Sequence, residues 1–146
     1  MKENILALSP IDKVLCLQNV DVFKHATTEM LACIGSIAQE VHAAKGDIIF
    51  PEDSQSDAMY VVVNGSVRLD HGGQEVLIAT EGQSFGTWAL FDTQPRVMTA
   101  TALADVHLLR ISREDFYDLL SDHEEITPAI FRAVVERVNR LIGVDA

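Results

Sequence analysis

A glycine and an arginine near the middle of the chain form a pattern that can bind an anion. Gly86 precedes a short segment with helical character, and Arg96 follows soon after. A glycine lets the backbone approach a ligand, the first N–H groups of a helix have no partner within it, and a guanidinium is a forked donor. These groups together suit a phosphate. The same residues can instead form a turn and a salt bridge with one of the many carboxylates, and their spacing does not separate the two interpretations.

Two helices are predicted before this segment. Ser9 has the chemistry of an N-cap and Pro10 suits the first helical position, so a short helix should run to about Leu17. A second helix is predicted after Thr27, because its apolar residues recur at intervals of three and four. These residues are Met30, Leu31, Ile34, Ile37 and Ala38.

Short strands are predicted through the middle of the chain. Runs rich in β-branched and other apolar residues lie at 47–50, 59–63, 66–70, 75–79, 98–102 and 105–111. Asn64-Gly65 and Gly72-Gly73 separate some of these runs and suit tight hairpins with positive φ. Many short strands at close intervals predict a sandwich or barrel.

Helical spacing returns at about 112–142. We predict that the last helix begins with Thr127 as N-cap and Pro128 at the first helical position, with Ile126 packed on Phe131 as a hydrophobic staple. One face of this helix is apolar. It consists of Val134, Val135, Val138, Leu141 and Ile142.

These elements predict one α+β domain over residues 1–146. Helices occupy about 10–38, an antiparallel β-roll of the jelly-roll type occupies about 41–111, and helices cover about 112–142. A chain of 146 residues with 48% hydrophobic residues is long and apolar enough to bury a core.

Charge and composition exclude several classes of function. Eleven Lys and Arg against 22 Asp and Glu leave a formal charge of −11, and the cations are scattered, so we expect no nucleic-acid binding by this chain. No apolar run is long enough for a membrane span or for the core of a signal peptide. Cys16 and Cys33 lack the spacing of a disulfide framework, which favours a reducing, cytoplasmic setting.

No group of residues has the pattern of a catalytic or metal site. The five histidines do not share metal-ligand spacing, and no Ser, Cys or Lys lies beside an identifiable base. A β-roll metalloenzyme would need a His-x-His pair with a nearby Glu. We therefore predict no catalytic residue, no metal and no enzymatic activity.

A series of short motifs follows one order along residues 14–142. They are Val22-Phe23, Gly46-Asp47-Ile48-Ile49-Phe50, Asp57-Ala58-Met59-Tyr60-Val61-Val62, Asn64-Gly65-Ser66-Val67, Phe85-Gly86, Ala89-Leu90 and Pro95-Arg96. Because of these motifs and their order, the chain resembles the cyclic nucleotide-binding domain family, which is found in the bacterial catabolite activator, protein kinase A regulatory subunits and gated channels. The resemblance implies a β-roll whose residues 85–96 form the phosphate-binding cassette. It also implies cAMP or another cyclic nucleotide as ligand, with no other cofactor.

The resemblance assigns roles within the cassette. Arg96 would neutralise the cyclic phosphate, and backbone amides near Gly86 and Ala89 would line the ligand. Trp88 stands where the family usually has Leu or Met, so we predict a core anchor, with contact to a base as the alternative. The expected ligand-binding residues are Phe85, Gly86, Thr87, Trp88, Ala89, Arg96 and Val97.

Two departures from the family pattern predict weak binding or none, and a third departure affects a loop. The family's Glu that accepts the ribose 2′-hydroxyl is Thr87 here, and losing a hydrogen bond to a charged group should weaken binding roughly 10- to 150-fold. Val97 and Met98 replace a small or hydroxyl residue and Ala, and they are expected to crowd the pocket. Val97 also lacks the hydroxyl of cGMP-preferring members, which favours cAMP. The loop 52–57 lacks the family's two glycines, which predicts a changed loop in an intact fold.

The last helix is the element that we expect to signal ligand binding to another domain or protein. Arg132, Arg137 and Arg140 lie opposite its apolar face, and the family places a ligand-responsive lid here. We expect the helix to act on an attached effector domain or to form a homodimer. The chain stops at Ala146, which leaves no residues for a helix-turn-helix. The alternative is a ligand-free interaction domain in which Arg96 makes an internal salt bridge and the helix binds a partner or a second copy.

Overall fold

Two four-stranded antiparallel sheets form a β-roll at the centre of the fold. The structure is a computed structural model that describes residues 7–143. The sheets have the strand orders β1-β8-β3-β6 and β2-β7-β4-β5. The strands are β1 Gln39–Ala43, β2 Ile48–Phe50, β3 Ala58–Asn64, β4 Ser66–His71, β5 Gln74–Thr80, β6 Ser84–Phe85, β7 Thr99–Ala102 and β8 Val106–Ser112. The predicted α+β fold with an antiparallel β-roll is therefore confirmed.

Within residues 7–143, four helices and two 3₁₀ turns flank the roll. They are α1 Pro10–Leu17, α2 Thr28–Ile37, α3 Arg113–Asp122 and α4 Ile126–Ile142, with 3₁₀ turns at Asp21–Phe23 and Thr87–Leu90. Ser9, Thr27 and Ser112 cap the first three helices, and each side-chain oxygen accepts the N–H of the residue three positions later, at 3.1, 3.2 and 3.1 Å. Within residues 7–143 no helix has both the length and the apolar character needed to cross a membrane.

Strand β3 contributes to two separate layers of the core. Met59 and Val61 pack with the helices outside the roll, whereas Tyr60 and Val62 pack inside it. This division follows from the alternation of side chains across a strand. Both faces of β3 are therefore covered, which makes it a central strand of the domain.

The start of α4 differs from the prediction. The helix begins at Ile126, and Glu125 occupies the N-cap position without a side-chain hydrogen bond, so Thr127 is not the cap. Ile126 is fully buried but Phe131 is 69% exposed, so the predicted staple between them is wrong. The buried face of α4 begins at Ile126 and continues through Ile130 and Ala133, and the helical repeat turns Phe131 toward solvent.

The apolar face predicted for α4 is largely exposed. Val134 alone among its predicted members packs against the core. The exposed residues form a surface that we call the α4 stripe, and it consists of Phe131, Val135, Val138, Leu141 and Ile142. A stripe of this kind on a helix is available to a further element or a partner.

Candidate functional site

One cavity collects the predicted ligand-binding residues. It has a volume of about 480 Å³ and lies between the cassette, the strands β4 and β5, and α4. Leu69, Leu77 and Arg137 line it from outside the cassette. The seven residues predicted from the sequence all line it as well: Phe85, Gly86, Thr87, Trp88, Ala89, Arg96 and Val97. The structure thus brings the predicted set together, while ligand binding by these residues stays a prediction.

Gly86 brings the cassette backbone against Arg96. It has φ +67° and precedes the 3₁₀ turn Thr87–Leu90. A Cβ at this position would lie 2.6 Å from Arg96 Nη1, which is closer than any real contact allows. The N–H of Ala89 donates to the Gly86 carbonyl at 3.1 Å within the turn, so a ligand would compete with that bond for this amide.

Arg96 is a buried cation with an unused donor. Its side chain lies over the Phe50 ring at 3.9 Å, and its Nη2 donates to the Ala58 carbonyl at 2.6 Å. Only 5% of the residue is exposed, and its Nε is buried without a hydrogen-bond partner among residues 7–143. Burial lowers the pKa of the guanidinium, although Tyr60 and Asp57 oppose that shift. A buried donor without a partner is costly, so the described residues satisfy the charged side chain of Arg96 only in part.

Asp57 provides a partial counter-charge for Arg96. Its Oδ1 lies 3.7 Å from Arg96 Nη2, and its Oδ2 lies 3.3 Å from Arg110 Nη2. Because the carboxylate is more than half exposed and shared between two arginines, this ion pair is weak. The internal salt bridge of the ligand-free interpretation is therefore present, but it leaves Arg96 open to competition by an anion.

The loop before β3 holds the backbone of Arg96. Arg96 N–H donates to the Ser54 carbonyl, and Asp53 N–H donates to the Arg96 carbonyl, each at 2.8 Å. Asp53 adopts φ +68°, a region that Asp tolerates better than most residues. The loop without the family's glycines therefore folds, as the sequence predicts, and its two hydrogen bonds to the backbone of Arg96 were not predicted.

Thr87 directs its hydroxyl into the protein. Its Oγ1 donates to Ser84 Oγ at 3.2 Å, and the residue is 8% exposed. Ser84 and Thr87 both line the cavity, and Thr87 stands where the family pattern has a carboxylate. Val97 is 66% exposed at the rim, and Met98 is half-buried and packs on the inner core. Both residues line the cavity, and the crowding of a ligand by them stays a prediction.

Trp88 is a rim residue and not the core anchor that we predicted. It is 42% exposed, because the 3₁₀ turn directs Ala89 and Leu90 inward and leaves the indole outside. Its ring contacts Phe91 edge-on with centroids 6.0 Å apart. The Arg137 guanidinium lies 4.8 Å from the Trp88 ring centre. Trp88 thus connects the cassette to α4.

Arg137 is a cavity residue that was not predicted as part of the site. The sequence shows three arginines on the polar side of α4 but does not show which of them faces Trp88. Arg137 Nη1 lies 3.8 Å from Asp21, and Arg140 Nη2 lies 3.1 Å from the same carboxylate. These exposed ion pairs attach α4 to the first 3₁₀ turn.

Glu136 attaches α4 to the two residues that follow the first 3₁₀ turn. It contacts Lys24 Nζ at 3.0 Å and His25 Nε2 at 2.8 Å. Hydrogen bonds from His25 and Lys24 lower the pKa of Glu136 to about 2. Because such exposed pairs contribute little to stability, the polar side of α4 is held by contacts that can break.

Comparisons with known proteins identify the domain family of this chain. The family model described as the cyclic nucleotide-binding domain matches residues 40–123. A CRP-like cAMP-activated global transcriptional regulator of Mycobacterium tuberculosis is 26% identical over 129 residues, which are 85% of this chain and 58% of the regulator. Lysophospholipase NTE1 of Chaetomium globosum is 32% identical over 102 residues, 66% of this chain and 7% of that enzyme. The chain thus spans 58% or less of the length of these two relatives.

A solved structure shares this fold. The N-terminal domain of a transcriptional regulator from Streptomyces coelicolor A3(2) superposes with a TM-score of 0.84 at 28% identity. The match covers 90% of this chain and 98% of that domain. The similarity therefore extends over the helices as well as the roll.

Proposed function

This chain belongs to the cyclic nucleotide-binding domain family, and from that premise we propose that its cavity binds cAMP or a related phosphate-bearing ligand weakly. We also propose that α4 relays occupancy to an attached or partner protein. One observation carries the proposal. Arg96 lies buried against Gly86 in the cavity, with a donor that no described residue uses.

The cavity suits an anion attached to an apolar body. Arg96 is deep in the cavity and Arg137 is at its α4 side, so two guanidinium groups face one space in a chain of net charge −11. Leu69 and Leu77 supply apolar surface between them. The phosphate would pair with Arg96, and the remainder of the ligand would lie toward Trp88 and Arg137.

Calorimetric titration with cAMP and with cGMP at fixed, moderate salt tests this proposal. We expect saturable binding with Kd near ~0.1 mM, tighter for cAMP than for cGMP. The neutral Thr87 hydroxyl limits the affinity, because it replaces a charged acceptor. Absence of heat with both nucleotides would reject the proposal and favour an interaction domain.

Replacement of Thr87 by glutamate is expected to raise the cAMP affinity roughly 10- to 150-fold. The new carboxylate would accept the ribose hydroxyl as a charged partner. Titration of wild type and variant measures the change, and Thr87→Val is the matched control, since it also breaks the bond to Ser84 but adds no acceptor. No gain in the glutamate variant would mean that the ribose does not occupy this part of the cavity.

Saturating cAMP is expected to slow amide hydrogen exchange in residues 128–142, because a ligand that contacts Arg137 would hold α4 closed. Arg137→Ala should abolish this slowing and weaken binding by roughly 2- to 30-fold, the range expected for loss of one cation–π contact. Arg132→Ala is the control, since Arg132 is on the same helix and contacts only Glu136 among the ion pairs of residues 7–143. Equal exchange with and without ligand would contradict a role of α4 in the response.

The α4 stripe favours an interaction domain as the second candidate function. Its five side chains are exposed along one side of a helix whose other side packs on the domain. An attached domain or a second copy would cover this surface, with or without a ligand in the cavity. Absence of nucleotide binding in the titration described above would favour the interaction domain, whereas saturable binding is compatible with both functions.

A further inference from the structure

Arg113 connects the cassette to the loop before β3. It is the first residue of α3, and its Nη1 lies 2.8 Å from the Ser56 carbonyl, 2.7 Å from the Ala89 carbonyl and 3.0 Å from the Asp92 carbonyl. Its backbone N–H donates to the Asp57 carbonyl at 2.8 Å. One residue thus contacts the loop and two points of the cassette.

The contacted carbonyls need a donor from elsewhere. Ala89 lies in the 3₁₀ turn Thr87–Leu90 and Asp92 follows it, and the last carbonyls of a helical turn have no partner within the turn. A charged donor satisfies such oxygens more strongly than a neutral one. Without Arg113, the cassette would lose the contact that fixes the end of its turn.

The position of Arg113 on α3 is unfavourable unless the cassette compensates for it. A cation at the first residue of a helix opposes the helix dipole, and acidic residues are preferred there. Glu114 and Asp115 follow this preference in the same turn. The ion pairs found within residues 7–143 do not include Arg113, so its charge acts on backbone carbonyls and not on a carboxylate.

Arg113 and Arg96 use the same short segment of backbone. Arg113 binds the Ser56 carbonyl, and Arg96 binds the Ala58 carbonyl two residues later. The middle of the cassette and its Arg96 end are therefore both attached to the backbone at the start of β3. This arrangement sets the distance between the turn after Gly86 and the Arg96 guanidinium.

We propose that Arg113 is a positioning residue for the anion site. It does not line the cavity, and it acts by holding the cassette turn so that the Gly86 backbone and Arg96 present their donors to the same ligand. The binding part of this inference rests on the proposed function. The positional part concerns the cassette itself and is measurable without a ligand.

Amide hydrogen exchange on the ligand-free full chain tests the positional part. In Arg113→Ala, exchange of the Ala89, Phe91 and Asp92 amides should accelerate at least about 10-fold, with less than about a 3-fold change in the β3 and β8 amides. Arg113→Lys keeps the charge but has one nitrogen on a shorter reach, so it should give an intermediate acceleration. Arg132→Ala, which removes an exposed guanidinium, should change neither region.

Titration with cAMP then tests the binding part. The affinity of Arg113→Ala should fall about 10-fold, and Arg113→Lys should recover part of the loss. Unchanged cassette exchange in Arg113→Ala would overturn the inference whatever the ligand result. If amide exchange in Arg113→Ala is faster throughout the domain, the exchange of Arg113→Lys is used instead. A uniform acceleration in Arg113→Lys would also overturn the inference. If cassette exchange is faster in Arg113→Ala and wild type does not bind cAMP, the positioning role would be supported and the proposed function rejected.

Discussion

Arg96→Ala is expected to abolish saturable cAMP binding, with a loss of at least about 100-fold in affinity. The guanidinium supplies the forked, charged donors for the phosphate, and each hydrogen bond to a charged group contributes about 1.5–3 kcal/mol. Its burial strengthens this effect, because water cannot replace the lost donors. Calorimetric titration of wild type and variant under the same salt measures the loss.

Arg96→Lys provides the control for charge, and thermal unfolding provides the control for folding. The lysine keeps a cation without the fork, so its affinity should lie between those of wild type and the alanine variant. The alanine variant should also lose about 1–3 kcal/mol of stability, because the Ala58 carbonyl loses its donor. Unchanged binding in a folded Arg96→Ala protein would place the ligand outside this cavity.

Gly86→Ala is expected to remove nucleotide binding while leaving the fold formed. The added Cβ would lie 2.6 Å from Arg96 Nη1, and the guanidinium is already confined by Phe50 and Ala58. The side chain of Arg96 must therefore move away from its present position. We expect at least about a 10-fold loss of affinity, and the positive φ costs an additional ~1–2 kcal/mol of stability.

Gly72→Ala is the matched control for this substitution. Gly72 has φ +60°, similar to Gly86, but a Cβ there would meet nothing within 4 Å. The two variants share the backbone strain and differ in the clash with Arg96. Thermal unfolding and cAMP titration of both should give similar stability and very different affinity, and equal affinities would show that the position of Arg96 does not depend on Gly86.

Local signals explain why so much of the fold was predictable. The caps Ser9, Thr27 and Ser112 each act on an amide three residues away, so their chemistry is contained in a few adjacent positions. Strands β1 and β6 were not predicted as separate elements. The two-residue β6 is too short to show an alternating pattern, and it exists because Phe85 and Ser84 pair with β3.

Contacts between distant elements explain what the sequence did not predict. The exposure of Trp88 depends on the inward direction of its neighbours in the 3₁₀ turn and on Arg137 from α4. Phe131 fits the hydrophobic pattern of a staple, but the burial of Ile126 on the core sets the rotation of the helix. A single sequence does not show how the helices are rotated against the core or which distant side chains meet.

The same distinction between local motifs and distant contacts applies to the candidate site. Gly86 and Arg96 belong to one continuous motif, so the resemblance located them. Arg113 contacts Ser56 across 57 positions and Ala89 across 24, and nothing in the local sequence around it indicates those partners. The residues proposed to touch the ligand were therefore accessible from sequence, and the residue proposed to hold them in place was not.

The pairing of β1 with β8 has a consequence for how this domain can be combined with others. Gln39 at the start of β1 lies opposite Arg110 near the end of β8, so the polypeptide enters and leaves the roll at neighbouring points. A longer polypeptide can accept such a unit at one position without separating the segments on either side. Neighbouring entry and exit points are compatible with matches to proteins as different in size as a regulator, of which the chain covers 58%, and a lysophospholipase, of which it covers 7%.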